Sequence, residues 1–321
     1  MKYVIASLVI LIAELLYFVL AKRFNIMDRP NERSSHTKPT LLGGGVVFFI
    51  SVLCYFLFSH FNYPWFVLAI AMLAVVCYVD DLHPLPSILR MVVQFAATLL
   101  VLFQFQVFDL AVWKIVVVMI LAVGTINIYN FMDGINGMLA AYSLVVLATL
   151  TYVNVSVSPF VDQDLITFAM VALLIFGFFN FRRKAYCFSG DVGSVVMGAF
   201  VLFLLGRLVQ TTPTGKVELS YLVFIGVYLA DGGLTVLKRM LRGENILLPH
   251  REHLYETLCN DCKIPHLYVS SGYAIAQLII NALYFVFADH TLYAVCVAVI
   301  LLFSYSAFFF YIKHYLQPKG E

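Results

Sequence analysis

Eleven apolar runs, each long enough or nearly long enough to cross a bilayer, occupy most of this 321-residue sequence. A spanning helix needs about 20 apolar residues and tolerates about 17, and runs of this length are too long for barrel strands. Hydrophobic residues make up 62% of the chain and charged residues 12%, which excludes a soluble globular enzyme. The sequence therefore predicts an all-α, polytopic integral membrane bundle of 10–11 transmembrane helices, which forms a single domain over residues 1–321. The predicted spans are Tyr3–Leu20, Gly43–Phe61, Trp65–Val79, Ile88–Phe105, Leu110–Ile128, Met138–Val155, Leu165–Phe181, Val192–Val209, Leu219–Leu237, Leu267–Phe287 and Leu292–Tyr311.

The distribution of Lys and Arg predicts how this bundle is oriented. Sixteen of the 20 basic residues follow odd-numbered spans or begin the fourth span, and only Lys2, Lys114, Arg207 and Lys216 lie on the opposite side. The first set should face the cytoplasm, which places the N-terminus in the periplasm and the C-terminus in the cytoplasm. The predicted location is the bacterial cytoplasmic (inner) membrane. A net charge of +2 without a long basic run predicts no nucleic-acid partner.

Nearly all reactive side chains fall in the predicted cytoplasmic loops, at residues 22–42, 80–87, 129–137, 182–191 and 238–266. The external loops are short and plain. A secondary transporter would carry ionisable groups near the middle of its spans, and here only Glu14 is predicted well inside one. An enzyme that works at the membrane surface is therefore favoured, and a nucleotide-sugar or lipid-linked sugar transporter is the alternative.

The adjacent carboxylates of "VDDL", Asp80 and Asp81, end the third span. Negative charge at a helix C-terminus opposes the helix dipole, so the pair is locally unfavourable. Simple helix termination before the following prolines is the structural alternative. In a chain this poor in charge, metal binding or phosphate chemistry is the favoured interpretation.

The motif "NIYNFMDGINGM" places Asn127 and Asn130 on one helix face, because they are three residues apart. Asp133 and Asn136, each followed by glycine, should then break the helix into a loop. These residue types are also ordinary turn formers. The combination of an amide pair inside the helix with polar turn residues at its exit indicates a ligand site.

Asp191, in "SGDVGS", opens the eighth span between two glycines. It can cap the helix N-terminus, and it can equally bind a hard cation such as Mg²⁺ together with water and phosphate oxygens. The motif alone does not separate these interpretations.

The last predicted cytoplasmic loop contains "HREHLYETLCNDC", with His250 and His253 on either side of Arg251. Phosphate or nucleotide recognition is the favoured interpretation. Zinc is the alternative, because Cys259 and Cys262 form a C-x-x-C motif, but the spacing departs from the usual finger patterns.

The first loop, "MDRPNERSSHTKPTLLGGG", carries more chemistry than helix anchoring requires. Arg33, His36 and Lys38 are available to bind phosphates, and residues 43–45 are glycines that permit a close approach of backbone to ligand or helix. A folded loop that caps the helix bundle is the structural alternative.

Taken together, these motifs resemble the polyprenyl-phosphate N-acetylhexosamine-1-phosphate transferases, a family related to the phospho-N-acetylmuramoyl-pentapeptide translocases. The matching pieces, in the order of the family, are "DRPNERSSHTKPT…GGG", "VDD", "NIYNFMDGINGM", "GDVGS" and "LADGGLTVLKRMLRGEN…HREHLYETL". They extend from Asp28 to about Leu258. The resemblance is nearest to members that begin O-antigen or similar surface polysaccharides, and so implies lipopolysaccharide or cell-wall biogenesis.

The resemblance implies that undecaprenyl phosphate attacks a UDP-N-acetylhexosamine, giving undecaprenyl-diphospho-sugar and UMP. It further implies Mg²⁺, or Mn²⁺ in its place, and suggests a homodimer. The residues that it implies are Asp191 and Asn130 at the metal; Asp80, Asp81, Asp133 and His250 in catalysis; and Arg33, His36, Lys38, Asn127, Asn136, Arg251 and His253 at the substrates. Direct attack and a covalent aspartyl-phosphate route both stay open.

Two departures from the pattern concern the substrates. Leu41 and Leu42 stand where relatives commonly have Pro-Arg, and Tyr255 and Glu256 stand where further histidines are frequent. The second departure lies in the loop expected to face the sugar, so GlcNAc and a 2-acetamido-2,6-dideoxyhexose are both open as the donor sugar.

Overall fold

A computed structural model describes residues 1–30, 38–211, 218–246 and 250–312 and confirms the all-helical membrane architecture. Within these ranges, ten helices are long and apolar enough to cross a membrane. The helices are α1 (Lys2–Arg23), α2 (Val46–Phe58), α3 (Pro64–Leu82), α4 (Ser87–Phe105), α5 (Val112–Phe131), α6 (Met138–Tyr152), α7 (Gln163–Asn180), α8 (Gly190–Thr211), α9 (Gly226–Leu241), α10 (Leu254–Glu256), α11 (His266–Tyr284) and α12 (His290–Tyr311).

Two predicted spans differ in length from the observed helices. The second has only 13 helical residues, because Gly43 to Gly45 form a turn and helix α2 begins at Val46. The third was expected to be short, but α3 has 19 residues and includes both aspartates of the "VDDL" motif. Apolar residues continue through the glycine turn and stop before the aspartates, so hydropathy alone misplaces both ends.

The ninth predicted span is interrupted. A 3₁₀ segment, Leu219–Ile225, precedes α9, and Gln277 of α11 binds the backbone at the junction. The Gln277 side chain donates to the carbonyl of Val223 at 2.8 Å and accepts from the N–H of Val227 at 2.9 Å. Backbone groups freed inside a membrane need such internal partners, so Gln277 makes the interruption tolerable.

The loops that contain the polar sequence motifs meet at one end of the bundle, here called the site end. Two short strands, β1 (Met27–Asp28) and β2 (Thr40–Leu41), form a hairpin in the first loop. Leu41 bridges to Cys187, and the N–H of Gly44 donates to the carbonyl of Phe188 at 2.8 Å. The first loop is therefore fastened to the segment that leads into α8.

Gly45, at the start of α2, lies in close contact with the backbone at the start of α8. A Cβ atom built at Gly45 would lie against the backbone of Gly193 and 2.7 Å from the carbonyl oxygen of Ser189. Real Cβ atoms do not approach backbone this closely, so a larger residue must separate the two helices.

Gly45→Ala is therefore expected to destabilise the protein by about 1–3 kcal/mol, the usual cost of overpacking. The thermal unfolding midpoint of detergent-purified protein measures this effect. Gly272→Ala is the matched control, since a Cβ at Gly272 meets nothing within 4 Å. An equal midpoint for both variants would contradict the proposed close approach.

Candidate active site

The two aspartates that end α3 point to different partners, as expected for neighbours on a helix. Asp80 accepts a hydrogen bond from the N–H of Leu85 at 2.6 Å and pairs with the guanidinium of Arg90 at 2.9 Å. Asp81 instead accepts from the N–H groups of Asp191 and Val192 at 2.8 and 3.2 Å. Asp81 therefore caps the N-terminus of α8, a helix more than a hundred residues further along the chain.

This cap changes the structural interpretation of Asp191. The structure places Asp191 in the first turn of α8, and its own N–H is one of the groups that Asp81 binds. Gly190 has φ +71°, and a Cβ there would collide with the Asp81 carboxylate. Because Asp81 supplies the cap, the Asp191 side chain is directed to other groups.

The Asp191 carboxylate joins three elements of the bundle. Its Oδ1 accepts from the amide of Asn130 at 2.9 Å, and its Oδ2 accepts from Arg90 at 3.1 Å. Since Arg90 also pairs with Asp80, its guanidinium bridges two carboxylates on α3 and α8. Arg90 was counted only as a topology residue in the sequence, and one basic residue one turn into a helix carries no signal for such a bridge.

A polar cavity of about 260 Å³ opens at the site end, and five of the predicted site residues line it. Five carboxyl groups and three side-chain amides line this space, namely Asp28, Asp81, Asp133, Asp191, Glu256, Asn130, Asn136 and Asn180. So many acidic groups in one small volume repel anions and attract cations. The cavity cannot receive a phosphate group unless positive charge accompanies it.

Asp133 lies in the loop between α5 and α6, where the helix breaks as predicted. Its carboxylate accepts a hydrogen bond from the hydroxyl of Ser189, a buried residue of the segment before α8. Burial raises the pKa of Asp133 to about 8, although the hydrogen bond from Ser189 lowers it. Near neutral pH, this carboxyl group is therefore mostly protonated in the free protein.

An apolar groove of about 570 Å³ runs between α4, α5 and α9 and meets the polar cavity. Phe95, Ile120 and Val236 are among its apolar lining, and Arg90 lies on its wall. Asn130, Asp191 and Glu256 line the groove and the cavity alike. A ligand in the membrane and a ligand from the aqueous side can therefore reach the same three side chains.

The histidine loop is held in place by Asp231, a buried residue of α9 that the sequence prediction did not single out. Asp231 accepts hydrogen bonds from the N–H of Leu254 at 2.9 Å and the hydroxyl of Tyr273 at 2.6 Å. The Nδ1 atom of the buried His253 lies 3.5 Å from the same carboxylate. The "LADGG" motif was the available signal, but an aspartate within an apolar run gives no indication of its partners.

His250 lies beside His253, with 4.8 Å between ring centroids, and lines the apolar groove. Burial, followed by the electrostatic effect of His253, lowers the pKa of His250 to about 4. The imidazole is therefore neutral at physiological pH. It can accept or donate a hydrogen bond, but in this state it contributes no charge to a phosphate.

The other predicted substrate residues have mixed placements. Asn127 lines the apolar groove and pairs with Gln94, whose Oε1 accepts from its amide at 2.7 Å. Asn136 lines the polar cavity and donates to the carbonyl of Arg182 at 2.9 Å. Lys38 and Arg251 are exposed. The predicted residues Arg33 and His36 lie outside the described residues.

The donor set can be compared with the requirements of Zn²⁺ and Mg²⁺. Among the described residues, no three His, Cys, Asp or Glu side chains converge as metal ligands, which gives no support to a zinc site in the last loop. Mg²⁺ commonly takes one or two protein carboxylates and completes its shell with water and substrate phosphates. The Asp191 carboxylate, beside Asn130 in a cavity with four further carboxyl groups, fits this requirement.

Glu256, which lines both the groove and the cavity, should make the stability of the protein depend on pH. Burial raises its pKa from 4.5 to about 7, against the opposing effects of His253. A carboxyl group whose pKa is higher in the folded state stabilises that state at low pH, and this contribution is lost as the pH rises from about 4.5 to about 7.

The thermal midpoint of Glu256→Gln should therefore fall less than that of the unsubstituted protein over this pH range. Gln keeps an acceptor for the N–H of His253, which Glu256 binds at 3.0 Å. Asp109→Asn, at an exposed residue of the opposite end, is the control and should follow the unsubstituted protein. Parallel pH curves for Glu256→Gln and the unsubstituted protein would contradict the assignment.

The sequence is also similar to that of known proteins. Residues 63–208 match the model of glycosyl transferase family 4. The chain is 25% identical over 279 residues to the probable undecaprenyl-phosphate N-acetylglucosaminyl 1-phosphate transferase of Bacillus subtilis, covering 80% of this chain and 77% of that protein. It is 26% identical over 283 residues to the undecaprenyl-phosphate alpha-N-acetylglucosaminyl 1-phosphate transferase of Yersinia pestis, covering 80% and 73%. Over residues 63–208, the chain is therefore similar to glycosyl transferase family 4.

The matched stretch contains five of the predicted site residues, namely Asp80, Asp81, Asn130, Asp133 and Asp191. The Escherichia coli K12 protein with the same name as the Yersinia relative is 23% identical over 280 residues, covering 80% of this chain and 73% of that protein. These similarities support the family that the resemblance in the sequence predicted.

Proposed function

We propose that this protein is a transferase that moves an N-acetylhexosamine 1-phosphate from a UDP-N-acetylhexosamine to undecaprenyl phosphate. The observation that carries the proposal is the junction of the apolar groove and the polar cavity at Asn130, Asp191 and Glu256. A lipid whose chain lies in the groove and a nucleotide sugar in the cavity would bring their phosphates together there. The names of the relatives support undecaprenyl phosphate as acceptor.

In the proposed reaction, an oxygen of the lipid phosphate forms a bond to the β-phosphorus of the UDP-sugar. The bond between that phosphorus and the bridging oxygen breaks, and UMP leaves with the bonding electrons. The products are undecaprenyl-diphospho-sugar and UMP. A phosphate monoester has a second pKa of about 6, so the attacking group is already mostly deprotonated at neutral pH. The reaction therefore needs positioning and charge neutralisation more than it needs a general base.

Asp191 and Asn130 are the residues that would hold Mg²⁺ in this proposal. When bound, the cation supplies positive charge for the diphosphate and for the developing charge on UMP. The chain itself contributes Arg90, which lies where the apolar groove meets the carboxylates. Asp81 keeps Asp191 in place through the α8 cap, and the neutral His250 can hydrogen-bond a sugar or phosphate oxygen.

The cellular setting follows from the charge distribution. Most Lys and Arg residues lie in loops of the site end, and the positive-inside rule therefore supports a site on the cytoplasmic face of the inner membrane. The product would begin an O-antigen or another surface polysaccharide. GlcNAc is the first donor sugar to test, because it appears in the relatives' names. A homodimer is an expectation to be checked by mass measurement in detergent.

The test is UMP release by purified protein supplied with undecaprenyl phosphate, Mg²⁺ and a panel of UDP-N-acetylhexosamines. We expect UMP from one donor, only with the lipid present, and loss of the activity with EDTA that excess Mg²⁺ restores. If the protein bound the nucleotide sugar without releasing UMP from any donor, the transferase proposal would fail and a transporter would be favoured. Restoration by Mn²⁺ but not Mg²⁺ would correct the metal.

A further inference from the structure

A separate apolar groove of about 590 Å³ lies between α6 and α7, and none of its lining residues lines the polar cavity or the groove between α4, α5 and α9. Three small residues, Ala140, Ala141 and Gly177, leave space between the two helices. Leu174 and Phe178, which also line the groove, are 59% and 65% exposed. The groove therefore opens outward, towards the lipid that surrounds the bundle.

The length of this groove suits a lipid of ordinary size. Its lining along α7 runs from Leu173 to Phe181, which corresponds to about 12 Å at a rise of about 1.5 Å per residue. The hydrocarbon core of a bilayer is about 30 Å thick. The groove thus extends through most of one leaflet, which accommodates part of an acyl chain but is short for a polyprenyl chain.

The rim at the site end is cationic. Arg182 lines the groove, and the exposed Arg183 and Lys184 follow it. The Arg182 guanidinium stacks over the Phe178 ring at 4.5 Å and donates from Nε to the Phe178 carbonyl at 2.6 Å. These contacts hold a positive charge directly above the apolar lining, at the depth where a lipid headgroup meets its acyl chains.

The same rim is connected to the proposed active site through the backbone. The amide of Asn136 donates to the carbonyl of Arg182 at 2.9 Å. Asn180, at the end of α7, accepts from the N–H of Gly137 at 2.7 Å and donates to the carbonyl of Cys187 at 2.9 Å. The loop that carries Asp133 and the segment that leads to Asp191 are therefore both fastened to the end of α7.

We propose that the α6/α7 groove binds an anionic glycerophospholipid, with an acyl chain against Ala141 and Gly177 and its phosphate at Arg182 to Lys184. The apolar lining favours an acyl chain, and the cationic rim favours an anionic headgroup. The length of the groove favours a lipid that occupies a single leaflet. Occupation of the groove stabilises the end of α7 and, through Asn136 and Asn180, the loops of the catalytic region.

The test measures lipid binding without any turnover. Full-length protein in neutral detergent is titrated with phosphatidylglycerol or phosphatidylcholine, and bound lipid is counted by native mass spectrometry alongside the thermal midpoint. Phosphatidylglycerol should bind more tightly and raise the midpoint more. Arg182→Gln should weaken its binding about five-fold, the effect of one basic residue at an anionic surface, and Gly177→Leu should weaken it by filling the groove.

Two controls separate this site from general effects. Lys263→Gln removes an exposed positive charge outside the groove lining, and Gly272→Leu adds the same bulk at a glycine with open space around it. Both should bind phosphatidylglycerol as the unsubstituted protein does. Equal binding of the two lipids, unchanged binding in both groove variants, or the same stabilisation by inorganic phosphate would each overturn the proposal. Because no readout is UMP, failure of the transferase proposal would be seen separately.

Discussion

Replacing Asp191 with Asn should reduce UMP release by about 10³-fold, the upper range for loss of one charge-stabilising group in a preorganised site. The carboxylate lies at the junction of the two ligand spaces and accepts from Asn130 and Arg90 on its two oxygens. Asn keeps the size of the side chain but removes its charge and turns an amide NH₂ towards one of these donors. The loss corresponds to about 4 kcal/mol of transition-state stabilisation.

The decisive comparison is between rate and stability. Initial rates of UMP release are measured with saturating donor and lipid, and thermal midpoints show whether each variant is folded. Asp109→Asn makes the same chemical change at an exposed residue of the opposite end and should keep full activity. If Asp191→Asn retained more than a tenth of the rate, Asp191 would only shape the first turn of α8.

The membrane fold was largely predictable because its main determinant, apolar run length, is a local property of the chain. The exceptions are instructive. Helix α2 is short because three glycines turn towards residues 188–189, and the Leu219–Ile225 segment is 3₁₀ because Gln277 binds the junction that follows it. Both features depend on contacts with distant parts of the chain, so neither local hydropathy nor helix propensity predicts them.

The candidate site was likewise predictable only in part, and the contacts between distant residues were the part that was missed. The sequence grouped Asp81, Asp133 and Asp191 because side-chain chemistry and predicted topology placed them on one side of the membrane. It did not predict that Asp81 caps α8, nor that Arg90 joins Asp80 to Asp191, because those contacts depend on how helices rotate against each other. The roles of the grouped residues in catalysis stay predictions until variants are measured.

Asp231 is a residue for which the sequence carried a signal that the prediction missed. An aspartate within an apolar span is a strong signal that the residue has a specific partner, yet the prediction placed only Glu14 well inside a span. The structure shows Asp231 accepting from the N–H of Leu254 and the hydroxyl of Tyr273, which fixes the loop of His250 and His253. A search of the spans for buried charge would have identified it, although not its partners.

Arg90→Ala should raise the KM for undecaprenyl phosphate strongly and lower kcat/KM for that lipid by about 10²-fold, the equivalent of almost 3 kcal/mol. Arg90 lines the apolar groove, so its guanidinium is placed where the phosphate of a lipid in that groove would arrive. It also lies 2.9 Å from Asp80 and 3.1 Å from Asp191, so its removal leaves two neighbouring carboxylates without their shared cation. Both effects disfavour the approach of an anionic lipid.

Arg90→Lys tests the geometry separately from the charge. Lys keeps the positive charge but cannot reproduce the planar fork that contacts two carboxylates, so it should recover only part of the loss. Rates are measured against undecaprenyl phosphate at saturating UDP-sugar, and then against UDP-sugar at saturating lipid. The KM for UDP-sugar should change little, because Arg90 lies on the groove and is not among the residues that line the polar cavity. The reverse pattern, with an unchanged lipid KM and a raised donor KM, would place the nucleotide sugar at Arg90 and exchange the two ligand spaces.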